Sequence, residues 1–376
     1  MGDVVIMNFF YDKPIETAEL RRRTGDLAAF ASIRETVLDN GSERGVRSLV
    51  LRNASGLEVE VLVDRGFDLG GARWRGIPFG WRSGNGFRHP GLHEADAEEG
   101  LSWLRALDGL LVTGGLDHAL FGGEYDAGHY AYPPKQTVKH GLHGRITAIP
   151  ARLLSVEEDW QDVGGVLRVR GEVTQATSFG EHLRLTRTVE IDIFGDEVRV
   201  SDTVDNLGFE RTPHMFLYHL NLGWPFVDEG SELVAPIRRQ LWASESTAEQ
   251  GVPFSPIAAP IRGFVEQVWE HELQADHAGD HRVVLVAPDR AHGVEVRWDA
   301  ENMPNFFEWQ NLRDGQYGLG LEPSSNHVEG EQAARDAGEL TWLEHGERRD
   351  YRLAVRVLHS PDSIAGAVQA VREIAL

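Results

Sequence analysis

Cysteine is absent from the 376 residues, which excludes disulfides, zinc–thiolate sites and thiol nucleophiles outright. Positive charge is scarce: 37 Lys and Arg stand against 59 Asp and Glu, a formal charge of −22. A surface of that sign repels phosphate backbones and anionic lipid, so neither nucleic acid nor membrane is expected as a partner. Long apolar runs are missing as well, and no segment approaches the length that crosses a bilayer. The first thirty residues lack the basic start, apolar stretch and small-residue cleavage site of a secretory signal, so the expectation is a cytoplasmic protein. Only 16 residues are proline while 41% are hydrophobic, which is ample for a large buried core.

What the chain has in abundance is alternation of apolar and polar residues, the period of a strand with one buried face. "LEVEVLVD" puts Leu57, Val59, Val61 and Val63 on one side. "LRLTRTVEIDI" does the same with Leu183, Leu185, Val189, Ile191 and Ile193, then turns at "FGDE" and resumes as "VRVSDTV", a predicted hairpin. The period continues through 166–173, 283–288, 293–299 and 351–358. Helical signals are few and peripheral: "PIETAELRRR" near the start, "AEEGLSWLRAL" at 97–107, and the tail. In the tail Ser360 can cap, Pro361 suits the first helical position, and Ile364, Val368, Val371 and Ile374 share a face, which predicts a lid on the sheets. Many strands without intervening helices, and no linker or repeat, predict one all-β sandwich domain over 1–376, with an N-terminal extension at 1–45 and a C-terminal helix at 360–376.

Chemistry is concentrated in a few places. His140 and His143 lie in "KHGLHGRI", His214 and His219 in "HMFLYHLNLGWPF". Some pairing is expected by chance among 16 histidines, but His219 sits inside an aromatic and aliphatic run where a polar side chain needs a reason. Glu322 in "YGLGLEP" stands beside Leu319 and Leu321, where an isolated carboxylate costs free energy unless it is paired, hydrogen-bonded or shifted in pKa. It reads either as half of a structural ion pair with an arginine or as a general base, with Asn326 and His327 on the loop that follows. A carboxylate base and a histidine acid suit proton movement between two oxygens of one small substrate. Trp81, Trp224, Phe306, Phe307 and Trp309 offer flat faces for a sugar ring, or are core. "DRGFD" (Asp64, Arg65, Asp68) reads as a turn closed by an ion pair. "GWRSGNGFRHP" sets Arg82, Asn85, Arg88 and His89 on a Gly-rich loop suited to a cleft rim. "GLDHALFGGEYDAGHY" supplies Asp117, His118, Glu124, Asp126 and His129, a polar cluster that lines a cleft or is solvated.

"GLHGRI", "FLYHLNLGWP" and "FFEWQN…LGLEPSSN", in this order, resemble the aldose 1-epimerases (galactose mutarotases) and hexose-6-phosphate mutarotases, and most of all an aldose-epimerase-like family labelled a domain of unknown function. "VDRGFDLGG" and "GLLVTGGLDHALFGG" fit the same likeness, which runs from about 55 to 357. The resemblance implies a galactose mutarotase-like β-supersandwich with a sugar cleft on one sheet. It implies that Glu322 takes the proton of the anomeric hydroxyl and that His219, with Asn221 beside it, gives one to the ring oxygen. His143 would help hold the sugar, with Arg145, Arg82, Trp309 and Asn326 as further binding candidates. "HLN" departs by one residue from the usual pattern, so His214 is the rival for the acid. The chemistry needs a carboxylate and an imidazolium together, near their reference values of about 4.3 and about 6.5, and calls for no cofactor. Two alternatives remain on the sequence. One is a metal-assisted epimerase, isomerase or lyase holding zinc or manganese through His143, His219 and a carboxylate, although no His-x-His or His-x-x-x-His pair stands out. The other is a non-catalytic carbohydrate-binding protein.

Overall fold

The computed structural model describes residues 15–95 and 97–375; residues 1–14 of the expected N-terminal extension lie outside them. Two large antiparallel sheets dominate. The larger has eleven strands, in the order Ser32–Val37, Arg47–Arg52, Leu57–Leu62, Asp68–Trp74, Leu111–Gly114, Leu217–Gly223, Gly318–Ser324, Asn305–Asn311, Gln267–Leu273 and Ile237–Ala243, with Ile77–Pro78 paired onto Asp68–Trp74. The second has eight, from Glu232–Val234 through Asp280–Val286, Gly293–Asp299, Arg348–Leu358, Glu197–Asn206, His182–Asp192 and Gly165–Ala176 to Arg152–Trp160. The predicted hairpin is present, His182–Asp192 pairing with Glu197–Asn206.

Alternation explains the layering. Leu49, Leu51, Val59 and Val61 of the larger sheet meet Leu167, Val169, Leu185, Val189, Val200 and Leu353 of the second in one continuous core, as expected of two facing sheets. The centre of the larger sheet breaks this pattern. Every residue of Leu217–Gly223 and of Gly318–Ser324 is buried, so these strands are covered on the outer face too, and polar groups on that face lie out of bulk water.

The helices are small. Pro361–Ile374 carries a capping box on Ser360 and lays Ile364, Ala367 and Val371 on Val284, Val286 and Leu358 of the eight-stranded sheet, as its periodicity predicts. The predicted helix over 97–107 is instead two single turns, Glu98–Gly100 and Ser102–Arg105. Gly100 at φ +89° and Glu99 at φ +58° interrupt it, since left-handed residues cannot continue an α-helix.

The turn "DRGFD" is not closed by its own ion pair. Asp64 binds Arg47, Nη2 to Oδ1 2.6 Å, and the buried Arg65 donates to the carbonyls of Thr147, Ala106 and Arg88. Asp68 points between the sheets, where Arg187 Nη1 donates to it at 2.9 Å and Thr113 and Thr147 hydroxyls add hydrogen bonds. Arg187 also grips Asp202, with Nη2 to Oδ2 at 2.6 Å, and Tyr218 donates to the same Asp202 oxygen at 2.8 Å. Burial opposes the Arg187 charge, yet the Asp202 and Asp68 carboxylates raise its pKa above the ordinary guanidinium value. This network ties three strands of the larger sheet to two of the second, and one of them, Leu217–Gly223, carries His219.

Arg187→Met leaves Asp68 and Asp202 as buried, uncompensated anions. The expected loss is about 3–5 kcal/mol, the usual result of removing one partner of a buried charge pair, measured by urea unfolding at pH 7. A loss below about 1 kcal/mol would contradict the network's structural role.

Candidate functional site

Strand register brings the site together on the outer face of the larger sheet. Glu270 lies opposite Phe307, Phe307 opposite Glu322, and the neighbouring pair Leu220–Leu321 sets His219 beside Glu322. Two residues along, on the same face, Val268 faces Trp309, Trp309 faces Gly320, and Gly320 faces Asn221. Two residues far apart in the chain therefore meet because their strands are neighbours. His219 Nε2 is 3.2 Å from Glu322 Oε1.

Asn221 determines which ring nitrogen of His219 holds the proton. Its Nδ2 donates to the carbonyls of Gly109 and His219, both at 3.1 Å, which turns its Oδ1 toward His219 Nδ1 at 2.6 Å. An amide oxygen only accepts, so Nδ1 carries hydrogen. A neutral His219 then presents the Nε2 lone pair to Glu322. Burial pushes the His219 pKa down to about 4, with the Asn221 hydrogen bond opposing. Burial, with Glu266 adding negative field, holds the Glu322 carboxyl well above the usual carboxylate range. Both directions work against an imidazolium beside a carboxylate: taking two charges out of water can cost more than their attraction returns, and one proton on the carboxyl removes both charges.

Apolar and aromatic groups do the desolvating. Trp81, Trp103, Leu107, Val112 and Trp309 form one cluster with Leu142 and Val268 against it. Trp103 lies 5.2 Å and Trp309 5.5 Å from the His219 ring, centroid to centroid. Trp309 Nε1 donates to Glu266 Oε2 at 2.7 Å. His143 completes the group, 4.5 Å from Trp103 and 5.7 Å from His219. Its Nδ1 is buried without a hydrogen-bond partner, and burial, with His219 and His118 nearby, holds its pKa well below the ordinary value.

The glycines of the quoted motifs have physical reasons. A Cβ on Gly144 would lie 2.3 Å from the His118 carbonyl oxygen and 2.6 Å from that of Gly115, so "HGR" lets two loops touch while His143 takes φ +54°. A Cβ on Gly320 would lie 3.0 Å from both Glu322 Oε1 and Trp309 Cβ. The spacing "LGLE" leaves the room in which the carboxyl and the indole sit.

The other residues singled out on sequence lie variously. Arg82 Nε binds Asp108 at 3.1 Å, with Glu43 at 3.7 Å, and stacks on Phe87 at 3.8 Å, so its charge is engaged at the rim. Arg145 Nη2 donates to the Lys139 carbonyl and approaches His140. His214 lies elsewhere, held by the Leu116 carbonyl at 2.7 Å and Tyr351 Oη at 2.6 Å; of the two rival histidines, the one that meets Glu322 is His219. Asn326 lines a separate groove of about 1190 Å³ with Glu270 and His327. Phe306 faces the inter-sheet core, and Trp224 is exposed and donates to Asp228 at 3.2 Å. His143 and His219 are not part of a metal-spaced group; among the described residues that spacing belongs to His118, His140 and Glu331. Sequence reasoning missed Trp103, whose buried Nε1 has no partner and whose stretch reads as a helix, and Glu266, an exposed acid with no pattern around it.

Gly320→Ala forces Trp309 or the Glu322 carboxyl to move. A stability loss of about 1–3 kcal/mol, typical of overpacking, is expected in urea unfolding together with a shift in tryptophan emission; unchanged emission and stability would show that the space is not needed.

The chain superimposes on several solved structures. The protein of Klebsiella pneumoniae named "putative aldose 1-epimerase" is 22% identical with a TM-score of 0.84, over 97% of this chain and 92% of that one. A galactose mutarotase-like protein of Clostridium acetobutylicum is 13% identical with a TM-score of 0.62, over 88% and 99%. Galactose 1-epimerase of Lactobacillus acidophilus is 14% identical with a TM-score of 0.56, over 88% and 99%. No curated protein sequence matches. These likenesses give the fold, a galactose mutarotase-like β-sandwich with small helices at its edges. A family model matches residues 43–357, and the chain belongs to that family, described as a domain of unknown function, DUF4432.

Proposed function

We propose that the chain is an aldose 1-epimerase-like isomerase that interconverts the anomers of a small sugar by ring opening, with Glu322 and His219 exchanging its protons. The observation that carries this reading is the buried Glu322–His219 contact at 3.2 Å inside a tryptophan-lined site. A pyranose stacks its apolar face on an indole and brings its O1 and ring oxygen to the pair.

The pair works with one proton between its two members. In the resting site that proton is on Glu322. A sugar O1 hydroxyl donating to the carboxyl stabilises its anion, and the proton passes to His219 Nε2. Glu322 then removes the O1 proton while His219 protonates the ring oxygen, and the C1–O5 bond opens to the aldehyde. Rotation about C1–C2 and the reverse transfers close the other anomer. No atom or electron is gained or lost, and the chemistry needs no cofactor. Each group is expected to contribute a factor of about 100 to 10,000. His143 and Trp309 line the same site and would hold the sugar.

Glu322→Gln should lower catalysed anomer exchange by about 100-fold or more, measured by saturation-transfer NMR on the anomeric protons of a panel of aldoses, ketoses, uronic acids and sugar phosphates. Its stability at pH 7 should be unchanged or higher, because a carboxyl that is ionised in the unfolded chain must take up a proton on burial and an amide need not. No acceleration on any sugar by the wild type, or loss of stability with activity kept, would sink the reading.

The pH profile follows from the same pair. As pH falls through about 4, the value to which burial lowers His219, both groups hold protons and no base remains. On the alkaline side activity lasts until the proton leaves a carboxyl raised above its ordinary range, after which no acid remains. The expected kcat/KM is level between these limits, and an acid limb centred near the ordinary imidazole value of about 6.5 would contradict it.

A further inference from the structure

Beside the sugar site, and not needed for its chemistry, lies a second buried group: His118, His140 and Glu331, with Asp117 behind them. They come from three separate pieces of chain, the loop after Leu111–Gly114, the end of the strand Thr137–His140, and the start of the helix Gly330–Ala337.

Their hydrogen bonds leave a position that requires positive charge. The Phe121 carbonyl, 2.9 Å from His118 Nε2, can only accept, so Nε2 holds the hydrogen and a neutral ring has its lone pair on Nδ1. That nitrogen faces Glu331 Oε2 at 3.1 Å. Two acceptors at this distance repel unless a proton or a metal ion stands between them. The second histidine converges on the same oxygen, His140 Nε2 at 4.0 Å. The three donor atoms lie within 4.8 Å of one another, and tetrahedral zinc with bonds of about 2.0–2.1 Å separates its ligands by about 3.3 Å, so modest side-chain motion closes the set. The two imidazoles are stacked, 4.7 Å apart and 4° from parallel.

The surroundings supply the supporting contacts and one competitor. Arg335 Nη2 holds the other Glu331 oxygen, Oε1, at 2.7 Å and so aims Oε2 at the histidines. Asp117 Oδ2 is 3.9 Å from His140 Nδ1, and Gln175 Nε2 holds its other oxygen at 2.5 Å. Arg145 Nη2 is 3.3 Å from His140 Nδ1, so loading exchanges this contact for an Nδ1–H bond to Asp117, the carboxylate–histidine–metal arrangement common in metal sites. The half-buried Tyr125 ring covers the group at 5.1 Å from His118.

We infer that His118, His140 and Glu331 bind one divalent transition-metal ion of the zinc type, which ties these three segments together behind the sugar site. Two imidazoles and a carboxylate are the donor set zinc and cobalt favour. His140 is three residues from His143, whose amide donates to the Leu120 carbonyl at 2.7 Å and whose carbonyl accepts from Gly115 at 3.0 Å. The ion therefore clamps the loop that positions His143, a structural role rather than a step in the reaction.

The test is cobalt titration of the full chain after dialysis against chelator, read by visible absorption and by metal analysis, with no sugar present. One equivalent should give the intense bands of a low-coordinate cobalt site, zinc should displace it, and Asp117→Asn should weaken binding by about 10–100-fold. Chelator-treated wild type that takes up neither ion, or uptake unchanged in both His140→Ala and Glu331→Gln when circular dichroism shows them folded, overturns the proposal in favour of a proton-held His118–Glu331 pair. The wild-type titration decides the matter even where a variant fails to fold.

Discussion

Removing a carboxyl group from water without giving it a cation is the constraint around which the site is organised. Glu322 lies on a strand buried at every position, its close polar neighbour is an imidazole at 3.2 Å, and the charged group that bears on it, Glu266, is another acid. A group so placed can be charged only at high cost. Storing a neutral acid against a neutral base avoids that cost and keeps one proton donor and one proton acceptor side by side. Asn221 completes the arrangement by fixing the imidazole tautomer, without which the lone pair would face away from the carboxyl.

The rest of the fold makes this burial possible. The inner face of the central strands belongs to the core between the sheets, where Tyr218 and Asp68 join Arg187 and Asp202. The outer face is covered by loops that approach closely only because Gly144 and Gly115 have no side chains. Trp103, Trp309 and His143 then close over the pair. The polar network between the sheets and the buried Glu322–His219 pair outside them share the strand Leu217–Gly223, so the residues that hold the sandwich together also support the strand that carries His219.

Much of the fold was legible in the chain because alternation reports directly which face of a strand is buried. The hairpin 182–206 and the C-terminal helix follow from local pattern alone. Glu322 and His219 were legible for a related reason: a lone acid after "LGL" and a lone histidine in "FLYHLNL" break an apolar run, and such breaks need an explanation. Their protonation was not legible, because it depends on how completely Trp81, Trp103 and Trp309 exclude water, which no local window contains. Trp103 was hidden in a stretch whose helical pattern Gly100 interrupts. The partners of "DRGFD" were equally out of reach, since Asp68 and Arg187 lie 119 positions apart. The His118–His140–Glu331 group likewise exists only through tertiary contact, its third member lying 213 positions from its first.

Whether the buried pair rests neutral is decided by nitrogen-15 NMR of the His219 ring at pH 7, assigned by comparison with His219→Gln. A neutral pair gives one protonated nitrogen, Nδ1, and one unprotonated nitrogen, Nε2, with a carboxylic acid infrared band that disappears in Glu322→Gln. Both ring nitrogens protonated at pH 7, with no such band, would mean that the site stores an imidazolium and a carboxylate, and a neutral pair would be refuted.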